Sequence, residues 1–363
     1  MKKIGIITFS WAHNYGALLQ TFALQENLLI NNNDVKIINY ITRENKKQYS
    51  PYRLSSNIRG NITNMLFLPK AIKKNFKFRK FIHKNLLLTK QYYGFKQLYK
   101  NAPEFDIYIT GSDQVWNPKI TKGLSDAYTL NFGENNIKRI SYAASVGDAT
   151  LINANKEIFK TKLKKIDKIS VREDDAKLEL QKIIKKNIEV VLDPTLLLSR
   201  EQWDKKVGES KKQKEKYILA YVVEEDPEYK KIVNYLSEKT GLKVIHFERR
   251  KSKYNSVLKT AYTEDPFEFV NLIKNAEYVV ATSFHATVFS IIYNKKFFIV
   301  PHKKTGARVI NLLNKLNIVG RNFDTFEEFK NIDYNLNTDW EKVNKKLEEE
   351  RKKSIDWLKN AIK

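Results

Sequence analysis

The sequence predicts an α/β chain of two doubly wound domains, each a parallel sheet covered by helices, facing each other across a cleft. Three observations lead there. Short β-branched and aromatic runs alternate with longer amphipathic segments, which is the pattern of βαβ units and parallel sheets. A densely charged stretch, residues 200–216, separates two such series. The length, 363 residues, is ample for two hydrophobic cores.

In the first series, residues 1–199, Ile4–Phe9 reads as a strand, Gly16–Asn31 as a helix and Val35–Tyr40 as a second strand. The opening apolar run is too short for a secretory leader and ends in Ser10, Trp11, His13 and Asn14, so a buried strand is expected. Asp106–Thr110, Arg139–Ser145, Lys168–Val171 and Ile188–Leu192 continue the strands, with a helix over Asp174–Lys186. The second series, residues 200–338, starts with strand Tyr217–Val223, helix Pro227–Lys239 and strand Lys243–Phe247. Helix Pro266–Lys274, strand Tyr278–Ala281, helix Ala286–Tyr293, strand Phe297–Val300 and helix Ala307–Leu316 complete it. A charged helix, Asp339–Ile362, occupies residues 339–363.

The net charge of +25 is unevenly spread. Between Arg43 and Lys100, fifteen Lys or Arg stand against one acid, Glu44. This basic insertion suits an anionic membrane surface or a phosphate-bearing partner, or it is simply a lysine-rich solvated face. Nothing in the chain has the form of a nucleic-acid module, so no nucleic-acid partner is expected. Within the insertion, Leu68, Ile72 and Phe76 recur at four-residue spacing, widened by Phe78, Phe81 and Ile82. Lys73, Lys74, Lys77, Arg79 and Lys80 are interleaved with them. Such a helix lies on a membrane surface or packs on its own domain with a basic outer face; the packed arrangement is the expected one. No run reaches the roughly 18 apolar residues of a bilayer span. The absence of cysteine fits a reducing compartment, so a cytoplasmic location is expected, either free or in peripheral contact with the inner face of the membrane through the insertion, residues 43–100.

Ligands of open α/β sheets gather at the carboxyl ends of strands, and four strand exits here carry polar clusters. The first, Trp11–Ala17, holds His13, Asn14, Tyr15 and Gly16. It is either a polar turn offering backbone amides to an anion or sugar, or an ordinary tight turn with an Asn cap. The second is Gly111-Ser112-Asp113-Gln114-Val115-Trp116-Asn117-Pro118. Its hydrogen-bonding side chains and indole suit a sugar, or a capping turn on a packed Trp. In the third, Ser170-Val171-Arg172-Glu173, the guanidinium can grip a carboxylate or phosphate in two places, or pair with Glu173. In the fourth, Ala281-Thr282-Ser283-Phe284-His285, a histidine stands where a strand becomes a helix. The first N–H groups of a helix have no intrahelical partner and attract anions, and imidazole exchanges protons near neutral pH. Lys303, Lys304 and Arg308 follow the next strand. Five histidines, at 13, 83, 246, 285 and 302, are scattered, which argues against a metal site. A paired-histidine metal motif, a Gly-x-Ser-x-Gly elbow, a Walker loop and a Gly-x-Gly-x-x-Gly fingerprint are all missing, which disfavours metal hydrolases, nucleotide-driven motors and Rossmann dehydrogenases.

In order and spacing, five pieces resemble the polysaccharide pyruvyl transferase family, nearly end to end. They are His13-Asn14-Tyr15-Gly16-Ala17-Leu18-Leu19-Gln20, Gly111-Ser112-Asp113-Gln114-Val115-Trp116-Asn117, Ser170-Val171-Arg172-Glu173, Leu192-Asp193-Pro194-Thr195 and Ser283-Phe284-His285. The resemblance implies two Rossmann-like domains in a GT-B-like arrangement, with the acceptor on the N-terminal side and the donor on the C-terminal side. It implies transfer of a pyruvyl group from phosphoenolpyruvate, the co-substrate, to sugar hydroxyls, with no further cofactor. The product would be a ketal on a surface polysaccharide or its lipid-linked precursor. His285 is then the expected general acid/base, and Arg172, Ser283, Lys303 and Arg308 are expected at the donor. Asn14, Tyr15, Gly16, Ser112, Asp113, Gln114 and Asn117 are expected along the cleft or acceptor side. Many members carry an arginine two residues before the histidine, where this chain has Ser283, and a glycine where it has Ala286. Arg308, Arg321, Lys303 or Lys304 then replaces the missing charge, or the donor differs. Two other functions share such a scaffold: a glycosyltransferase using a nucleotide sugar, and a non-catalytic polysaccharide-assembly protein.

Overall fold

The computed structural model describes residues 1–52, 62, 64–209, 213, 215–223, 226–248, 254–301, 306–335 and 337–363. Two compact units divide the chain. One comprises Met1–Ser50, Arg79–Leu198 and Glu348–Lys363; the other comprises Pro51–Phe78 and Ser199–Leu347. Each has its own parallel sheet with helices, so the predicted fold class of two Rossmann-like doubly wound domains is observed.

The first unit contains strands β1 (Lys3–Ile7), β2 (Asp34–Ile41), β3 (Leu88–Tyr93), β4 (Ile107–Thr110), β5 (Lys138–Ala144), β6 (Lys168–Val171) and β7 (Ile188–Val190). Their order is β3-β2-β1-β4-β5-β6-β7, and every pair is parallel. β1 and β4 read as unbroken apolar runs because helices cover both sheet faces; Ile4, Ile6, Ile7, Ile107, Tyr108 and Ile109 are all buried. The winding reverses between β1 and β4, where Ile7 pairs with Thr110. That reversal opens a crevice beyond the carboxyl ends of the two strands. The helix Tyr15–Ile30 starts at Asn14, whose side chain accepts from Ala17 N at 3.1 Å. The helix Trp340–Ile362 docks its C-terminal part on this unit: Arg351 Nε donates to the Leu196 carbonyl (2.7 Å), and Ser354 Oγ accepts from Leu192 N (3.0 Å).

The second unit contains β8 (Tyr217–Tyr221), β9 (Lys243–His246), β10 (Val257–Thr260), β11 (Tyr278–Ala281) and β12 (Lys296–Ile299), in the order β10-β9-β8-β11-β12, all parallel. Its reversal lies between β8 and β11, where Ala281 pairs with Tyr221. Asp265 and Glu268 form a capping box at the start of the helix Pro266–Asn275. Among the described residues no helix is long and apolar enough to cross a membrane.

The strands and helices expected from periodicity are present, with shifted ends. The helix expected at Ala286 starts at Phe284, and the one expected to reach Lys186 stops at Gln181. β3 and β10 escaped the pattern. Both are edge strands with a single neighbour; in β3 only Tyr92 is buried and in β10 no residue is. A polar edge strand carries little of the apolar signal that marks a central one.

His246 ends β9 inside the second core, 1% exposed. Its Nδ1 accepts from Glu248 N at 3.3 Å, and Nε2 lies 3.1 Å from Thr260 Oγ1. Burial lowers its pKa, partly opposed by Glu248. The unfolded chain therefore takes up this proton first as pH falls, so the stability associated with neutral His246 is present above about pH 6.5 and is lost below it. The melting temperature is expected to drop between neutral and mildly acidic pH, and the drop is expected to shrink in His246→Gln. An equal drop in that variant would assign the acid sensitivity elsewhere.

Candidate functional site

In the second unit, the buried run of β11 ends at Ala281, and the chain turns through Thr282 and Ser283 into the helix Phe284–Ile292. Thr282 closes the turn on the neighbouring strand: its N donates to the Tyr221 carbonyl (3.2 Å), and its Oγ1 accepts from Val223 N (3.0 Å). These bonds fix the helix start at the reversal between β8 and β11. Ser283 holds the N-cap position in extended backbone, but its side chain makes no capping bond. The first helical N–H groups are thus not capped by that hydroxyl, an arrangement suited to an anion. His285 is the second helical residue, 8% exposed.

Phe284 connects this histidine to the helix Ala307–Lys315. Its ring meets His285 edge-on at 5.2 Å, and the guanidinium carbon of Arg308 lies 6.0 Å from its centroid. Phe284 therefore contacts both His285 and the half-buried cation Arg308, and it opens a helix whose N-cap side chain, Ser283, makes no capping bond. Lys303 and Lys304 lie outside the described residues. Arg321 is committed elsewhere: it is 1% exposed, its guanidinium lies near the Phe297 and Phe298 rings, and Nη2 donates to Thr338 Oγ1 (2.5 Å). Of the cations weighed as replacements for an arginine at 283, Arg308 is the one that lies against Phe284, the residue between Ser283 and His285, among the described residues.

In the first unit, four of the matching sequence pieces meet in one buried network. Gln20 Nε2 donates to Thr8 Oγ1 (3.0 Å), and Thr8 Oγ1 donates to the Ser112 carbonyl (3.0 Å). Ser112 Oγ donates to Asp193 Oδ2 (3.1 Å), the oxygen that also accepts from Arg172 Nη1 at 2.9 Å. Arg172 Nε donates to Glu173 Oε1 (3.0 Å), and Ser145 Oγ donates to the same oxygen (2.6 Å). Thr195 holds the other Asp193 oxygen through its N and Oγ1, at 3.0 and 2.6 Å. The Arg172 side chain is 3% exposed. Burial opposes its charge, but the carboxylates of Glu173, Asp193 and Asp113 outweigh that and raise its pKa. The pairing with Glu173 weighed from the sequence is present, and Asp193 doubles it.

The remaining predicted residues of this unit take local roles at the β1 and β4 exits. Asn14 is exposed and caps its helix, with Tyr15 and Gly16 buried in the first turn. Asp113 is half-buried in left-handed backbone (φ 69°) and its Oδ1 accepts from Gln114 N. Gln114 Oε1 accepts from Asn117 Nδ2 (2.8 Å), and Asn117 Oδ1 caps the turn Pro118–Thr121. Trp116 is fully buried and donates to the Tyr128 carbonyl. Gly147 supports this loop from the β5 exit. A Cβ there would sit 2.2 Å from Gln114 Oε1, and its φ of +80° disfavours any other residue. Gly147→Ala is therefore expected to cost about 1–3 kcal/mol and to disturb the Gln114–Asn117 pair, measured as a lower unfolding midpoint. An unchanged midpoint would show that the loop adapts freely.

Sequence reasoning missed a cavity of about 150 Å³ beside the β1 and β2 exits. Phe9, Trp11, Tyr40, Tyr49 and Tyr128 supply aromatic walls, and Glu44 hydrogen-bonding capacity. Tyr128 meets Phe9 and Tyr40 edge-on at 5.0 and 5.8 Å, and Trp11 is oriented by its bond to Asn39 Oδ1. Burial raises the pKa of both Tyr40 and Tyr128, so both phenols stay neutral at physiological pH. Aromatic faces with neutral hydroxyls suit a sugar ring. Trp11 was the only sequence signal, since the other walls come from segments with no recognisable motif.

The family model for polysaccharide pyruvyl transferase matches residues 14–304. No curated protein matches the sequence. Among solved structures, the S. aureus MnaA–UDP co-structure is similar at 12% identity, covering 91% of this chain and 87% of that one, with a TM-score of 0.51. A UDP-GlcNAc 2-epimerase from Methanocaldococcus jannaschii in complex with UDP-GlcNAc and UDP shares 17% identity over 94% of this chain and 98% of its own, TM-score 0.49. At such identities the likeness is one of fold.

Proposed function

The chain belongs to the polysaccharide pyruvyl transferase family, and from that membership we propose that it moves the pyruvyl group of phosphoenolpyruvate onto two hydroxyls of a sugar. The acceptor belongs to a surface polysaccharide or its lipid-linked precursor, and the product is a cyclic ketal. The observation that carries the reading within the family is Phe284 in contact with both His285 and Arg308, at the start of a helix that the Ser283 side chain does not cap. Phosphoenolpyruvate brings a phosphate and a carboxylate, for which helix N–H groups and a guanidinium are matched partners.

His285 delivers a proton to the methylene carbon of phosphoenolpyruvate, which makes C2 electrophilic. One sugar hydroxyl adds to C2 and gives up its proton, the C2–O bond to phosphate breaks, and inorganic phosphate leaves. The second hydroxyl then adds to C2 and closes the ketal. Of the two hydroxyl protons, one replaces the proton consumed at the methyl carbon and the other leaves on phosphate, so no water or oxidant enters. Arg308 holds the donor in place of an arginine at 283, with Ser283 Oγ beside the same anion. Arg172 acts through position: paired with Glu173 and Asp193, it ties the exits of β6 and β7, to which Ser112 and Ser145 join those of β4 and β5. Asn14–Gly16, Ser112–Gln114 and Asn117 frame the acceptor side of the first unit, and the aromatic cavity next to them takes a sugar ring.

Ligand-induced stabilisation tests the donor assignment. Phosphoenolpyruvate at about 100 times its dissociation constant is expected to stabilise the protein by about 2.7 kcal/mol, and Arg308→Met is expected to remove most of that shift. Stabilisation by nucleotide sugars with none by phosphoenolpyruvate would overturn the donor.

A further inference from the structure

The helix Leu68–Asn85 has two apolar faces, and only one is covered. Phe78 and Ile82 are fully buried and Phe81 nearly so. Ile72 and Phe76, one turn apart, are 42% and 65% exposed, and just ahead of the helix Met65 and Leu66 are 77% and 74% exposed. At about 3.6 residues per turn, Ile72 and Phe76 project away from the side that carries Phe78, Phe81 and Ile82. The single stripe read from the sequence is thus two: one packs on the protein, the other faces outward. The cations divide in the same way. Lys77 pairs with Glu268 (2.5 Å), and Lys74 lies 4.6 Å from the Tyr262 ring centre. Lys70, Lys73, Arg79, Lys80 and Lys84 are exposed around the outward apolar face.

From this surface we infer that the helix docks the protein on an anionic lipid bilayer. Contiguous exposed apolar side chains rimmed by polar ones mark an interaction site. Interface cores between proteins are depleted in lysine, whereas an anionic bilayer rewards both components. Ile72, Phe76, Met65 and Leu66 enter the boundary between headgroups and acyl chains, and the lysines reach up to lipid phosphates. One acid among sixteen charged residues between 43 and 100 gives the patch the sign such a surface requires. The inference rests on the exposed face alone and holds whichever donor the enzyme uses.

Sedimentation of the full chain with phosphatidylcholine vesicles, with and without phosphatidylglycerol, tests it. Binding is expected only with the anionic lipid and is expected to weaken as salt rises. Ile72→Ser/Phe76→Ser should reduce it at least about tenfold with an unchanged melting temperature, since both side chains are exposed. Lys73→Gln/Lys80→Gln/Lys84→Gln should weaken binding and flatten its salt dependence. No binding to anionic vesicles at low salt, or equal binding by the Ile72→Ser/Phe76→Ser protein, would overturn the inference. So would a self-association abolished by that double substitution without any vesicle binding, because the face would then belong to a second copy.

Discussion

Replacing His285 with alanine is expected to slow pyruvyl transfer by about 10²–10⁴-fold, the usual contribution of a positioned acid/base. His285 is 8% exposed and packs edge-on to Phe284, so the alanine variant also loses contacts. His285→Gln, which retains volume and hydrogen bonding, controls for that. Both variants are expected to bind phosphoenolpyruvate with affinity close to the parent, because the phosphate and carboxylate are held by the helix start and Arg308. The signature is a collapsed kcat with little change in donor stabilisation, as for a group that acts in the transition state. A glutamine variant with parental kcat would place the proton transfer on another residue.

The second large effect is on stability. Arg172→Met removes the cation that, among the described residues, bonds both carboxylates of the buried network, so Glu173 and Asp193 lose their shared charge partner. Breaking such a pair costs about 3–5 kcal/mol, read as a lowered denaturation midpoint with loss of activity following from it. Arg172→Lys should recover only part of this, since an ammonium cannot span both partners in the guanidinium's fixed geometry. Replacing the whole cluster, Arg172→Met/Glu173→Gln/Asp193→Asn, should regain stability relative to Arg172→Met, because no bare charge remains. If instead Arg172→Met melts like the parent and loses only phosphoenolpyruvate affinity, Arg172 is a donor clamp and the network is not its main role.

Much of the fold was legible because central parallel strands are continuous apolar runs and their helices have strong caps, as at Asn14 and Asp265. β3 and β10 were hidden by polar edge composition. The candidate site was legible in one respect: the strand-to-helix junction at Ser283–His285 stands at the sheet reversal, as its sequence context requires. The sequence could not reveal partnerships between distant segments. Asp193 and Arg172 are both motif residues, yet nothing local distinguishes an arginine offered to a ligand from one closed between two carboxylates. Only the register of β5, β6 and β7 brings Ser145 to Glu173 and Asp193 to the Arg172 guanidinium. The aromatic cavity was hidden for the same reason, since its walls come from β1, β2 and the turns beyond β4.

The most direct test of the central claim is the fate of the donor in heavy water. Phosphoenolpyruvate is supplied with a panel of sugar acceptors, and the product is analysed by mass spectrometry and NMR. One inorganic phosphate is expected for each ketal formed, with a deuterium in the new methyl group, and both are expected to be lost in His285→Gln. Transfer of a glycosyl unit from a nucleotide sugar, with phosphoenolpyruvate left intact, would contradict it.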